Sequence, residues 1–274
     1  MGFNVACMLM IMKERNGTPF SGSVVQIGRQ DIYFDWDTMK LCAQHINYPL
    51  REPDEIGYRY NEWVPDTRTL DDVTFFKALG FSEVYSLDAS DYECPTFVHD
   101  LNTPIPESLK NSFDAVVDGG SFEHIFHLPN ALMNVVSMLK VGGRIIHHSP
   151  THNYVDHGFY SFSPTWFHDY YEANHFTNCV CNLVGMKLPF RQNDVPKVFP
   201  YTPGGLEEFS VGGFTKEKFH GCEMFMTTFG GTKTENSVGD VVPMQRRYRE
   251  WWQKPVAEKQ NTPSPNLANK WTAQ

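Results

Sequence analysis

Short apolar blocks alternate along the chain with stretches of helical spacing, and most blocks stop on a glycine or an aspartate. The run Val5 to Met12 lies in a predicted helix of about Phe3 to Glu14, which leads through Gly17 and Pro19 into the strand-like Ser23-Val-Val-Gln-Ile27 ending at Gly28. Asp31 stands where an N-cap is wanted, and Ile32, Trp36, Met39 and Ala43 follow with helical spacing. Residues 46 to 68, with Pro49, Pro53 and Pro65, read as an inserted, lid-like segment with little regular structure. A helix from about Leu70 to Leu79, stopped by Gly80, feeds the strand Glu83-Val-Tyr-Ser-Leu87, which ends in Asp88. Thr96-Phe-Val-His99 closes on Asp100, and Ala115 to Val117 closes on Asp118.

The pattern continues beyond Asp118-Gly119-Gly120. A helix-like stretch reaches Leu139, Gly142-Gly143 reads as its stop, and Arg144 to His148 as the next strand. A His- and aromatic-rich loop follows Pro150, then a helix near Thr165 to Asn174 and two strand-like runs, Cys179 to Lys187 and Cys222 to Phe229. With no helix evident between these two runs, an antiparallel pair at the sheet edge is expected. The Pro-rich stretch Pro189 to Pro203 begins a loop or cap reaching about residue 215. Strands alternating with helices predict an α/β fold, a mostly parallel sheet with helices on both faces. The expected divisions are an N-terminal helix over 1–20, an α/β domain over 21–233, and a C-terminal helix with a flexible polar tail over 234–274.

Composition narrows the function classes. With 274 residues and 41% hydrophobic content the chain suits a globular protein. A net charge of −9 supplies no electrostatic footprint for nucleic acid, and Arg246-Arg247-Tyr248-Arg249 reads as a solvated helix face. Val5 to Met12 is far shorter than the roughly 20 residues of a membrane span and has no cleavage site after it, so neither a membrane role nor a signal peptide is expected. The six cysteines form no CxxC pair, which predicts a reduced, cytoplasmic protein.

Acidic strand ends at the carboxyl edge of a parallel sheet predict a ligand site there. A dinucleotide would require a glycine-rich turn leading into a helix N-terminus for its pyrophosphate. Gly28-Arg29-Gln30-Asp31 keeps one glycine and adds a carboxylate, so an adenosine-containing ligand without phosphate fits better.

The series Val24-Val-Gln-Ile-Gly28, Tyr85-Ser-Leu-Asp88, His99-Asp100-Leu101, Phe113-Asp-Ala-Val-Val-Asp118 and Leu139-Lys-Val-Gly-Gly-Arg-Ile146 resembles the motifs of class I S-adenosylmethionine-dependent methyltransferases. The resemblance covers about Ser21 to Phe229. It implies a Rossmann-like, seven-stranded sheet with its last strand antiparallel, and S-adenosyl-L-methionine as cofactor. It also implies that Gly28 lies against the cofactor, that Asp88 holds the ribose hydroxyls, and that Asp100 with Leu101 lines the adenine. Asp118 with Gly119 would flank the methionine part. Arg29 replaces a small residue of the family's pattern and could supply a charge to the methionine carboxylate. The long spacing from Gly28 to Asp88 implies an insertion.

Methyl transfer to a hydroxyl is an in-line displacement that benefits from a positioned base. Histidines crowd one region of the sequence, and the candidates for that base are His124, then His148 and His152. Each could equally be a packed or exposed ring at a loop end. His147, His148, His152, His157 and Asp156 include metal-ligand types, but Pro150 breaks the one helical HxxxH spacing, and no metal ligands are assigned. Tyr154, Phe159, Tyr160, Phe162, Trp166 and Phe167 offer ring surfaces to a small molecule, or fill the core. The expected function is O-methylation of a small-molecule acceptor, a sugar or secondary metabolite. The alternatives are a metal-dependent hydrolase on a similar sheet and a catalytically silent cofactor-binding scaffold. Oligomeric state is left open.

Overall fold

The computed structural model describes residues 2–60, 68–187, 196–203 and 219–253. Parts of three expectations, the inserted segment (61–67), the Pro-rich cap (188–195 and 204–218) and the polar tail (254–274), lie outside the described residues.

Strand β1 (Gly2–Phe3) precedes helix α1 (Val5–Gly17), whose N-cap Asn4 accepts a hydrogen bond from the Cys7 amide at 3.0 Å. α1 is apolar nearly all round and is correspondingly buried on most of its surface. β2 (Ser23–Ile27) follows, then β3 (Asp31–Ile32). Here the expected N-cap moves. Asp31 and Ile32 pair in parallel with Gly2 and Phe3, and helix α2 (Trp36–His45) begins only after Asp35, whose carboxylate caps the Thr38 amide at 2.8 Å.

β4 (Tyr58–Arg59) and β5 (Thr69–Leu70) form a small ribbon before α3 (Asp72–Leu79), which ends at Gly80 as expected. β6 (Glu83–Asp88), β7 (Phe97–Val98) and β8 (Phe113–Asp118) lead to α4 (Leu128–Met138) and the long β9 (Leu139–His152). Gly142-Gly143 is not the helix stop. α4 has ended by Met138, and Gly142, at φ +83°, lies in a bulge between the pairs Phe113–Leu139 and Ala115–Arg144. The chain closes with α5 (Pro164–Ala173), β10 (Thr177–Met186), β11 (Lys197–Pro200), β12 (Met224–Thr232) and α6 (Arg246–Gln253).

The main sheet has the order β11-β10-β12-β9-β8-β2-β6-β7. β7, β6, β2, β8 and β9 are parallel, and β12 runs antiparallel between β9 and β10. The expected antiparallel pair is therefore present. The sheet has eight strands rather than seven, because Lys197–Pro200, read as loop, pairs with β10 and becomes the edge.

Alternation along the strands divides the core. Val25, Val116 and Ile145 face α4 and α5 with Leu132, Val135, Phe167 and Tyr171. Val24, Ala115, Val117 and Ile146 face the other layer, with Met8 of α1, Met39 of α2, and Phe75 and Phe76 of α3. Among the described residues no helix is long and apolar enough to cross a membrane.

Candidate functional site

β2, β6 and β8 end on one edge, and a cleft of about 350 Å³ opens there, bordered by Gly28, Asp88, Asp100, Leu101, Gly120, Ser121 and His124. At its floor Gly28 has φ +70°, and a Cβ there would lie 2.6 Å from both Gln30 Nε2 and Ser121 Oγ. The left-handed φ and the closeness of these two side chains favour glycine there. The Ile27 carbonyl accepts from Gln30 Nε2 at 2.9 Å and from Ser121 Oγ at 2.7 Å, which ties the end of β2 to the turn after β8. Neither Gln30 nor Ser121 was a sequence candidate, because nothing in the pattern shows that two turns so far apart share an acceptor.

Asp88 accepts two long bonds, from the Arg29 and Ser90 amides at 3.2 Å each, and keeps acceptor capacity toward the cleft. Asp100 accepts from the Asn102 amide at 2.9 Å, a bond that holds its carboxyl below the usual value. Leu101, buried beside it, is part of the core under α4. Arg29 borders the cleft, but its guanidinium is drawn to Asp72 at 3.2 Å and to the Glu93 and Cys94 carbonyls. Asp31 and Glu93 on the same rim pair with Arg59.

Asp118 and Gly119 lie behind the cleft wall rather than on it. Asp118 is fully buried and accepts from the Ser121 amide at 2.8 Å and the Gly120 amide at 3.2 Å, so its carboxylate shapes the turn that does line the cleft. Gly119 packs under Phe3, where a Cβ would meet the ring at 2.5 Å.

Past this turn, Phe122–His124 forms a 3₁₀ turn, so His124 precedes α4 instead of starting it. Phe122 anchors the turn in the core. Glu123 is 0% exposed, and among the described residues neither of its carboxylate oxygens has a hydrogen-bond partner. Burial, with the nearby Asp118 charge, pushes its pKa up to about 8. The loop after β9 covers it: the Phe159 amide donates to the Glu123 carbonyl at 2.6 Å, and His157 Nε2 stands 3.8 Å from Glu123 Oε1. The His124 and His157 rings are 5.1 Å apart. Burial lowers the pKa of both, which favours neutral imidazoles at neutral pH.

His148 and His152 stand elsewhere. His148 is buried in β9, on the face opposite His147, and both ring nitrogens lack partners among the described residues. His152 is exposed at the end of β9, with the Phe225 ring 6.3 Å away. Of the three candidate bases only His124 borders the cleft. The aromatic loop divides as well. Phe162 and Phe167 are core, while Phe159 remains 65% exposed and meets Phe126 edge-on at 5.5 Å beside the His124 turn. The closeness of Glu123 to His157 had one sequence signal, a lone carboxylate among Phe122, Ile125 and Phe126, but the loop carrying His157 has no period to set its register.

The strand order reverses between β2 and β8, the switch point at which ligands of open α/β sheets bind, and the cleft lies there. Six strands of common direction, with the antiparallel β12 between the last two, β9 and β10, are consistent with the Rossmann-like fold of class I S-adenosylmethionine-dependent methyltransferases. No protein-family model matches the chain, and no curated protein does. Among solved structures it is similar to a SAM-dependent methyltransferase of Thermotoga maritima, at 15% identity and TM-score 0.41, covering 84% of this chain and 90% of that one. A SAM-dependent methyltransferase of Archaeoglobus fulgidus matches at 12% identity and TM-score 0.41, covering 82% and 94%. Phosphoethanolamine N-methyltransferase 2 of Haemonchus contortus matches at 12% identity and TM-score 0.39, covering 83% of this chain and 52% of that one. Likenesses at these values carry no argument, and the fold rests on the strand topology.

Proposed function

We propose that the chain transfers the methyl group of S-adenosyl-L-methionine to a hydroxyl of a small-molecule acceptor, a sugar or secondary metabolite. The observation that carries this reading is the single cleft in which the bare backbone at Gly28, the acceptor-rich Asp88 and the imidazole of His124 meet. These residues suit an adenosyl cofactor without phosphate. The chain after Gly28 passes into β3, and the α2 N-terminus, capped by Asp35, is not offered to a pyrophosphate. The cofactor supplies a sulfonium-activated methyl group.

In this arrangement Gly28 admits the cofactor to the backbone, Asp88 accepts from both ribose hydroxyls, and Asp100 with Leu101 borders the adenine. Gly120 and Ser121, held by Asp118, take the wall beside the methionine part. With the cofactor bound, His124 would accept the proton of the acceptor hydroxyl and release it to solvent as that oxygen takes the methyl group. Phe126 and Phe159 offer ring surfaces to the acceptor next to His124.

Thermal denaturation with S-adenosylhomocysteine, against NAD as control, tests the reading. Ligand at a hundred times its Kd adds about 2.7 kcal/mol of stability. Failure of S-adenosylhomocysteine to shift the transition of a folded sample would sink it.

A further inference from the structure

Glu123 presents a physical problem that the cleft alone does not solve. Its carboxyl group is removed from water, and neither oxygen has a partner among the described residues. Protonation offers no remedy, since a neutral carboxyl still carries an O–H donor and a carbonyl acceptor that call for partners. His157 Nε2, also buried and unpartnered, faces it at 3.8 Å, beyond hydrogen-bond reach. Two unsatisfied groups of opposite preference therefore confront each other across a gap. Buried polar groups are hydrogen-bonded or coordinate a metal.

His124 completes the set. Glu123, His124 and His157 each offer one ligand atom, and these atoms all lie within 4.8 Å of one another. Around an ion with bonds of about 2.1 Å, ligand atoms stand roughly 3 to 3.5 Å apart, so the three need to close by only about 1 to 2 Å. His157 is on a loop and His124 on a 3₁₀ turn, and rotation of these two rings can supply that closure. One carboxylate with two imidazoles, leaving positions open, is a donor set for first-row divalent ions.

We infer that Glu123, His124 and His157 hold a divalent first-row metal ion beside the cleft, its open positions turned to the acceptor. The binding stands on the three side chains alone, and its role in acidifying the acceptor oxygen rests on the methyl-transfer reading. With the ion bound, His124 is a ligand, and its part in loosening the hydroxyl proton passes to the metal. A second cluster of ligand types, His168, Asp169 and Glu172, also holds an unpartnered carboxylate oxygen, Asp169 Oδ1, facing His168 Nδ1 at 3.7 Å, but each of its carboxylates is already engaged elsewhere. Glu172 is already paired with Arg249 at 3.1 Å, and Asp169 accepts from the Arg246 amide at 2.9 Å.

The test is titration of the full chain with Mn²⁺, followed by loss of the free-ion EPR signal, with Zn²⁺ in competition and no cofactor present. One ion per chain is expected. Glu123→Gln and His157→Asn should each weaken it at least tenfold, while Asp169→Asn leaves it intact. His157 is on a partly exposed loop, so its variant should fold even if the Glu123 variant does not. Binding of neither ion, binding untouched in the His157→Asn variant, or binding lost in Asp169→Asn instead would overturn the inference. A retained response to S-adenosylhomocysteine in that event would leave the methyl-transfer reading standing, and loss of that response with metal binding intact would remove only the role assigned to the ion.

Discussion

His147 and Asp118 are joined inside the sheet, with Nδ1 of the ring 2.9 Å from Oδ2 of the carboxylate and neither residue in contact with solvent. The other ring nitrogen lies 2.7 Å from the Tyr171 hydroxyl, so the pair links β8, β9 and α5 directly behind the cleft. Asp118→Ala strands the histidine and the Gly120 and Ser121 amides together, and should cost about 3 to 5 kcal/mol. Urea unfolding measures this. A midpoint that stays in place while the response to S-adenosylhomocysteine vanishes would make the carboxylate a ligand rather than a brace.

Asp88 should show the opposite division of effects. Its carboxylate makes only long bonds to two amides at the rim, so Asp88→Ala should change stability by less than about 1 kcal/mol. Loss of the ribose contacts should weaken S-adenosylhomocysteine at least tenfold, about 1.4 kcal/mol. Calorimetric titration of the two proteins decides it, and equal affinities would remove Asp88 from the site.

These contrasts show what the sequence makes legible. Strand ends at Gly28, Asp88, Asp100 and Asp118 are visible because each apolar run stops on a residue that suits a turn, and that periodicity places all four on one sheet edge. Which of them faces the ligand is not visible, because a buried brace and an exposed acceptor both look like an aspartate after a strand. Asp31 misleads for a related reason. The spacing after it is helical, but pairing with Gly2 and Phe3, a tertiary event, pulls it into β3 and delays the helix to Trp36. Lys197–Pro200 is likewise an edge strand only because β10 offers it a partner.

His148 should set an acid limit on stability. Burial lowers its pKa to about 4, an effect that the charge of Asp118 only partly offsets. Between the unfolded value of about 6.5 and that depressed value, the unfolded chain binds a proton that the folded chain refuses, so stability is full above pH 6.5 and is lost as pH falls. From pH 7.5 to 4.5 the loss from this ring should be about 2 to 3 kcal/mol. Glu123, with its raised pKa, acts in the reverse sense over part of the range, so the informative quantity is the difference between the wild type and His148→Leu at each pH. Urea curves whose difference is constant across this range would show that the ring does not resist protonation.

Arg144 follows the glycine pair of the motif that ends at Ile146, and its guanidinium does structural work far from the cleft. It is 1% exposed, pairs with Glu14 of α1, and donates to the Asn178 carbonyl and Thr232 Oγ1 at 2.8 Å each. Gly230 on the neighbouring strand leaves the room, since a Cβ there would stand 2.7 Å from Arg144 Nη2. A buried ion pair repays little of its desolvation, but removing one partner leaves the other charged and stranded. Glu14→Ala should therefore cost about 3 to 5 kcal/mol, while Glu14→Leu combined with Arg144→Met should recover much of that loss. A double variant as unstable as the sum of its single changes would show that the two residues act separately, and that α1 is held to the sheet by its apolar surface alone.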